Sequence, residues 1–252
     1  MIANLQKGLR FVYRGREVIG EGTGFGVPVL LYLKDTYFSG SSRLLISGGR
    51  NARTIRKEYI MDRVQRKEVR GVKLEDPIIR TVWRYFDRLY QKHKRLQSIS
   101  STGLLGKLGV HFIFEYAKPV GRVITTYSVR QDHVKVRVDF SLLRRDGLKK
   151  AFILNEQGCK FFRRYSSSEG TELGKRDVGS WEIIGAQSAC ITDERGRVGF
   201  RLWRIRDSAL HVGRERVKDV ADWIGLDYEV GPDKNAFEYN IQILGAGKSR
   251  GE

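Results

Sequence analysis

The sequence predicts a mainly β protein, a large antiparallel sandwich with one amphipathic helix near residues 77–96. Three observations carry that prediction. Alternation of apolar and polar residues with period 2, the mark of a half-buried strand, recurs along most of the chain. The stretches between these runs are short and rich in turn residues, which argues against the crossovers of a parallel sheet. Only Pro77–Leu96 carries a marked helical stripe, with Ile79, Val82, Trp83, Phe86, Tyr90 and His93 on one side.

In chain order, strands are expected at Leu9–Val12, Val27–Leu33 and Arg43–Ser47. The helix follows, opened by Asp76 as cap and Pro77 in the first turn, where a missing amide hydrogen costs nothing. Its opposite side shows Arg80, Arg84, Arg88 and Lys92, four residues apart. Val110–Tyr116, Arg122–Arg130 and His133–Leu142 are read as an antiparallel meander, with Lys118 to Gly121 as the first turn. The third member is the most regular: Val134, Val136, Val138, Phe140 and Leu142 alternate with Lys135, Arg137, Asp139 and Ser141. Further strands are expected at Ala151–Leu154, Trp181–Ile191, Val198–Ile205 and Phe237–Leu244, with a weaker helix or turn over Arg214–Ile224.

The 252 residues, 40% hydrophobic and 11% aromatic, supply enough apolar material for a real core and are unlike a disordered or collagen-like chain. No repeat or linker divides them, so a single β-rich domain over 1–252 is expected. Its net charge of +18 is uneven: +4 over residues 1–50, +8 over 51–100, +6 over 101–150, and zero over both 151–200 and 201–252. A basic N-terminal part (1–150) is thus joined to a neutral C-terminal part (151–252), and a basic side would favour a polyanion. No apolar run has the length of a membrane span, the start lacks the apolar core of a secretory signal, and Cys159 and Cys190 form no C-x-x-C pair. A cytoplasmic protein that does not engage membranes is the expectation.

The motifs mostly exclude. Gly20, Gly22, Gly24 and Gly26 miss the dinucleotide spacing and precede a strand, so a bend with close backbones or a strand bulge is the plainer reading. Gly247, Lys248 and Ser249 resemble the end of a phosphate loop without its earlier glycine. His93, His111, His133 and His211 are widely spaced, and neither a metal site nor a cofactor is expected. Glu238 shares a strand face with Asn240 and Gln242, opposite Phe237, Tyr239, Ile241 and Ile243; this pattern fits a polar groove, although an ordinary solvated face is the plainer reading. The densest basic signal is the helix stripe with Arg53, Arg56, Lys57, Arg63, Arg66, Lys67, Arg70 and Lys73, interleaved with carboxylates that would pair with part of it.

The succession of long alternating strands, with GTGFGVPVLLYLKDTYFSGSSRLLIS near the start and FEYNIQIL near the end, resembles the β-supersandwich domains of galactose-mutarotase-like carbohydrate-active proteins. The resemblance implies work on sugars, with a histidine and a glutamate as acid and base; by position these would be His133 and Glu238. The first functional expectation is therefore a protein that binds or modifies a saccharide, an acidic one included, using Glu238 and His133 with Asn240 and Gln242 beside them. The second is a non-catalytic module binding nucleic acid or another polyanion through Arg80, Arg84, Arg88 and Lys92. A protein-interaction scaffold is the third, and the oligomeric state stays open.

Overall fold

The structure is a computed structural model that describes residues 2–4, 8–13, 16–19, 24–33, 35–46, 54–62, 64–70, 111–116, 118–130, 133–158, 162–217 and 221–245. The chain divides into two compact units, residues 1–62 with 119–252 and residues 63–118. The expected helix over 77–96 lies outside the described residues, together with Arg80, Arg84, Arg88 and Lys92. Among the described residues no helix is long and apolar enough to cross a membrane.

In the first unit β1 (Ile2–Asn4), β2 (Gly8–Tyr13) and β3 (Arg16–Ile19) form a three-stranded antiparallel sheet. Next come β4 (Gly24–Tyr32), β5 (Thr36–Ile46) and β6 (Thr54–Asp62). The second unit contains β7 (Val64–Arg70) and β8 (His111–Tyr116), paired antiparallel from Val64↔Tyr116 to Arg70↔His111. The first unit resumes with β9 (Arg122–Val129), β10 (His133–Asp139), β11 (Leu148–Gly158), β12 (Arg164–Ser167), β13 (Glu172–Gly174) and β14 (Glu182–Ile183). It closes with β15 (Ser188–Thr192), β16 (Gly199–Trp203), β17 (Ser208–Val217), β18 (Ala221–Val230) and β19 (Ala236–Leu244).

Fourteen of these strands form one hydrogen-bonded ribbon, ordered β13-β12-β15-β16-β19-β10-β9-β6-β5-β4-β11-β18-β17-β14. The seam between β4 and β5 is narrow, only Leu30↔Tyr37 and Leu31↔Thr36, and it divides a nine-stranded layer from a five-stranded one. Side chains of the two layers meet in a β-sandwich-like core. Phe25 of β4 packs edge-on against Phe200 of β16 at 5.1 Å, and Tyr228 of β18 lies 5.0 and 4.9 Å from Phe237 and Tyr239 of β19. Alternation dictates which residues enter it: Val134, Val136 and Val138 are fully buried while Lys135 and Arg137 stay outside. Each such valine stabilises the core by roughly 1.5–3 kcal/mol relative to exposure.

Four expectations are corrected. Val110–Tyr116 is not part of a meander, because β8 pairs with β7, whereas β9 lies between β6 and β10. The third strand ends at Asp139 instead of Leu142, because the Asp139 carboxylate accepts the Ser141 N–H (2.9 Å) and turns the chain. Trp181–Ile191 is not one strand: β14 edges the five-stranded layer and β15 lies in the nine-stranded one, so the chain changes layer between them. The helix or turn over Arg214–Ile224 is strand on both sides, β17 paired with β18 as far as Val217↔Ala221, because Ile224, Leu226, Tyr228 and Val230 all point inward and are fully buried.

Candidate functional site

Of the residues singled out in the sequence, His133, Glu238, Asn240 and Gln242 lie on the outer face of the nine-stranded layer. There β10 and β19 run antiparallel with His133↔Gln242, Lys135↔Asn240 and Arg137↔Glu238, so all six side chains share that face. The register keeps His133 and Glu238 apart, four residues along the strands or about 13 Å. Glu238 is instead held from both sides by Lys135 Nζ and Arg137 Nη1, each at 2.7 Å. Hydrogen bonds from Lys135 and Arg137 hold its carboxyl below the ordinary range, so it is a settled anion at neutral pH. The Gln242 Oε1 is buried without a hydrogen-bond partner, and its cross-strand neighbour on β16 is Arg201.

The basic run is divided. Arg56 and Lys57 belong to β6, a core strand whose Ile55, Tyr59 and Met61 are buried, whereas Arg66, Lys67 and Arg70 belong to β7 in the other unit. Arg53, Arg63 and Lys73 lie outside the described residues.

A different site stands on the outer face of the five-stranded layer. A pocket of about 290 Å³ is lined by Val29, Phe152, Leu154, Glu156, Trp181, His211 and Asp227. Val29, Phe152 and Leu154 are outward residues of the neighbouring strands β4 and β11, paired Phe152↔Val29, and they make an apolar floor. His211 and Asp227 stand opposite each other on β17 and β18. One step along the same two strands on that face, Gly213 pairs with Gly225. A Cβ on Gly213 would run into the Trp181 ring, and one on Gly225 would lie 2.9 Å from Glu156 Cα and Cγ. The glycine pair is therefore what lets the indole and the glutamate approach the sheet. Trp181 itself has a φ of 31°, a conformation unfavourable for a side chain this large and sustained only by its surroundings.

Asp227 is 3% exposed. Its Oδ1 accepts the Asn155 N–H at 2.7 Å, a side-chain bond made where the β11–β18 pairing is interrupted between Ile153↔Tyr228 and Glu156↔Gly225. Asn155, fully buried, uses the rest of its polar atoms too: Nδ2 donates to Leu226 O (3.1 Å) and Ile153 O (3.3 Å), and Oδ1 accepts from Tyr239 Oη (2.7 Å) and Gly26 N (3.2 Å). Gly26 is the extra residue where the β4–β11 register shifts between Leu154↔Val27 and Asn155↔Phe25, with φ +66°. Its carbonyl accepts from Thr125 Oγ1 (2.9 Å), and Tyr127 Oη donates to the Phe25 carbonyl (2.5 Å). For this glycine the bulge reading holds; Gly20 and Gly22 lie outside the described residues. Burial pushes the neighbouring Tyr59 phenol up to about 12, so this inner polar cluster remains protonated in ordinary buffers.

His211 Nε2 lies 3.3 Å from Glu229 Oε2 without hydrogen-bond geometry, while Lys150 Nζ binds the other oxygen of Glu229 at 2.8 Å. The His211 ring meets Phe152 edge-on at 6.3 Å, and Lys150 Nζ stands 5.5 Å from the Phe152 centroid. The pocket thus offers an aromatic wall, an apolar floor, an imidazole and carboxylates on adjacent strands. Such a set can hydrogen-bond hydroxyl groups and exchange protons with them. Among the described residues no group of three or more His, Cys, Asp or Glu is arranged to hold a metal ion.

Sequence reasoning missed this site because its members come from four strands and the segment before β14. The one local signal was Gly225, Asp227 and Glu229 alternating with Leu226, Tyr228 and Val230, a pattern matching the one that drew attention to Glu238. No protein-family model, no curated protein and no solved structure matches the chain.

Proposed function

We propose that the protein binds or modifies a saccharide in the pocket between Trp181, His211 and Asp227. The observation that carries this reading is the buried Asp227 carboxylate, fixed by the Asn155 N–H and opening into a pocket walled by an indole. Aromatic rings cover the apolar faces of sugar rings while carboxylates and imidazoles bind the hydroxyls around them, and the volume suits one or two sugar units. Glu156 and Asp227 line the pocket with carboxylate acceptors for the hydroxyl or amino groups of a sugar. If a reaction follows binding, His211, Asp227 and Glu156 are the groups placed to move protons. The proposed site moves the chemistry from Glu238 and His133, where the resemblance to supersandwich domains put it, to the other layer of the antiparallel architecture.

The test is calorimetric titration with glucose, galactose, mannose, glucosamine and glucuronate, with duplex DNA at two salt concentrations alongside. Wild type should take up at least one of the neutral or amino sugars saturably. Asp227→Asn and Trp181→Ala should weaken that uptake about tenfold or more, a loss of roughly 1.4 kcal/mol. Glu238→Gln should leave it unchanged. Loss in Glu238→Gln with none in Asp227→Asn would return the site to the nine-stranded layer. Salt-sensitive DNA binding with no sugar uptake would replace the reading by the polyanion one.

A further inference from the structure

The outer face of the nine-stranded layer holds a second cleft, of about 280 Å³, built where β12, β15 and β16 lie side by side. Its floor follows from the register: Arg164↔Thr192 and Ser166↔Cys190 join β12 to β15, and Cys190↔Arg201 joins β15 to β16. The turn between β15 and β16 forms its rim. Asp193 Oδ1 accepts the N–H groups of Arg197 (2.6 Å) and Val198 (3.2 Å), and Gly196 turns back at φ +67° with its N–H on the Asp193 carbonyl (3.0 Å). That turn places Arg195 in the lining. A Cβ on Gly196 would stand 3.8 Å from Arg164 Nη1, so the Arg164 guanidinium extends along the same rim.

The charges do not cancel here. Arg164 is matched by Glu172. Among the described residues the Arg201 guanidinium has one hydrogen-bond partner, the Cys190 sulfur, to which Nε donates at 2.9 Å; the carboxylate in the lining, Glu172, is the one that pairs with Arg164. Arg195 is exposed and has no side-chain partner among the described residues. Two uncompensated guanidiniums in one small cleft repel each other, and with Nε committed to sulfur, Arg201 still has its Nη donors for an incoming oxyanion. Thr192 and Ser166 add hydroxyls to the lining, and Thr192 is 4% exposed. Planar guanidiniums beside hydroxyls are suited to tetrahedral oxyanions, which they bind with paired charge-assisted hydrogen bonds. We infer that this cleft is a binding site for a phosphate or sulfate group, with Arg201 as its principal ligand, Arg195 closing over it and Thr192 and Ser166 completing the donors.

The experiment is calorimetric titration of the full chain with inorganic phosphate, sulfate, glucose 6-phosphate and dextran sulfate, ionic strength being held with chloride. In parallel, alkylation of Cys190 by iodoacetamide is followed by peptide mass spectrometry. Saturable phosphate binding is expected, weakened roughly tenfold or more in Arg201→Met, partly kept in Arg201→Lys and weakened in Arg195→Met. Phosphate should also slow alkylation of Cys190 in the wild type and protect less in Arg195→Met. Because Arg195 sits on an exposed turn, an unchanged melting temperature in that variant separates lost binding from lost folding. Preference for glucose 6-phosphate would assign the anion to a small sugar ester, and preference for dextran sulfate to a sulfated polymer; both uphold the site. No saturable uptake of any of the four, or equal affinities in wild type, Arg201→Met and Arg195→Met, would overturn it.

Discussion

The two layers use the same alternating pattern to opposite effect. On the nine-stranded layer, Glu238 stands on an open face between Lys135 and Arg137 and is neutralised where it stands. On the five-stranded layer, Asp227 is buried in the wall of the pocket that Trp181 also lines, and its Oδ1 accepts the backbone N–H of Asn155. A surface ion pair contributes little and commits its carboxylate, whereas a buried carboxylate is maintained at a cost and is retained where it has work to do. The difference between the faces lies in what backs the acid: solvent and flexible lysine and arginine in one case, the Asn155 cluster in the other.

Breaking that backing should have the largest effect. Asn155→Leu removes the acceptor of Gly26 N and Tyr239 Oη and the donor to Leu226 O, inside the core. At about 1–3 kcal/mol for each buried group left unsatisfied, a loss of about 3 kcal/mol or more is expected in urea unfolding. A change below about 1 kcal/mol would show that the cluster does not support the core. Gly26→Ala should come next. It forces a side chain into the left-handed region and brings Cβ to 2.9 Å from Thr125 Cγ2, which should cost about 1–3 kcal/mol in the same assay.

Glu238→Gln should be the mildest, about 1 kcal/mol or less at neutral pH. It sharpens the comparison through its pH dependence. The folded carboxyl is depressed, so its stabilisation is present above the unfolded value of about 4.3 and vanishes as pH falls through the folded one. The variant should therefore lose stability less steeply than wild type below about pH 4.3 in acid titrations followed by circular dichroism. Identical acid limbs would mean that the ion pairs add nothing to folding.

Most strands were legible because alternation is local: β9, β10, β16 and β19 follow directly from their apolar periods. Their partners were not, because pairing β9 with β6 or sending β14 and β15 to different layers depends on contacts distant in sequence. The strand β6 was hidden by its own arginines and lysines, which obscured Ile55, Tyr59 and Met61. The site suffered more. Asp227 and Glu238 sit in near-identical local patterns, and only the strands on either side decide which is buried. Trp181 owes its place to Gly213 on another strand, a relation that spacing in the chain does not encode.

The ends of the fourteen-stranded ribbon have a consequence of another kind. Its two edge strands, β13 and β14, are three and two residues long and are consecutive in the chain, joined by the segment that carries Trp181. Edges this short give a neighbouring molecule little backbone to pair with, which is a defence against polymerisation. Because one connection joins both edges, a proteolytic cut within it is expected to loosen both short strands at once and to raise the tendency to aggregate, which light scattering of the nicked protein would check.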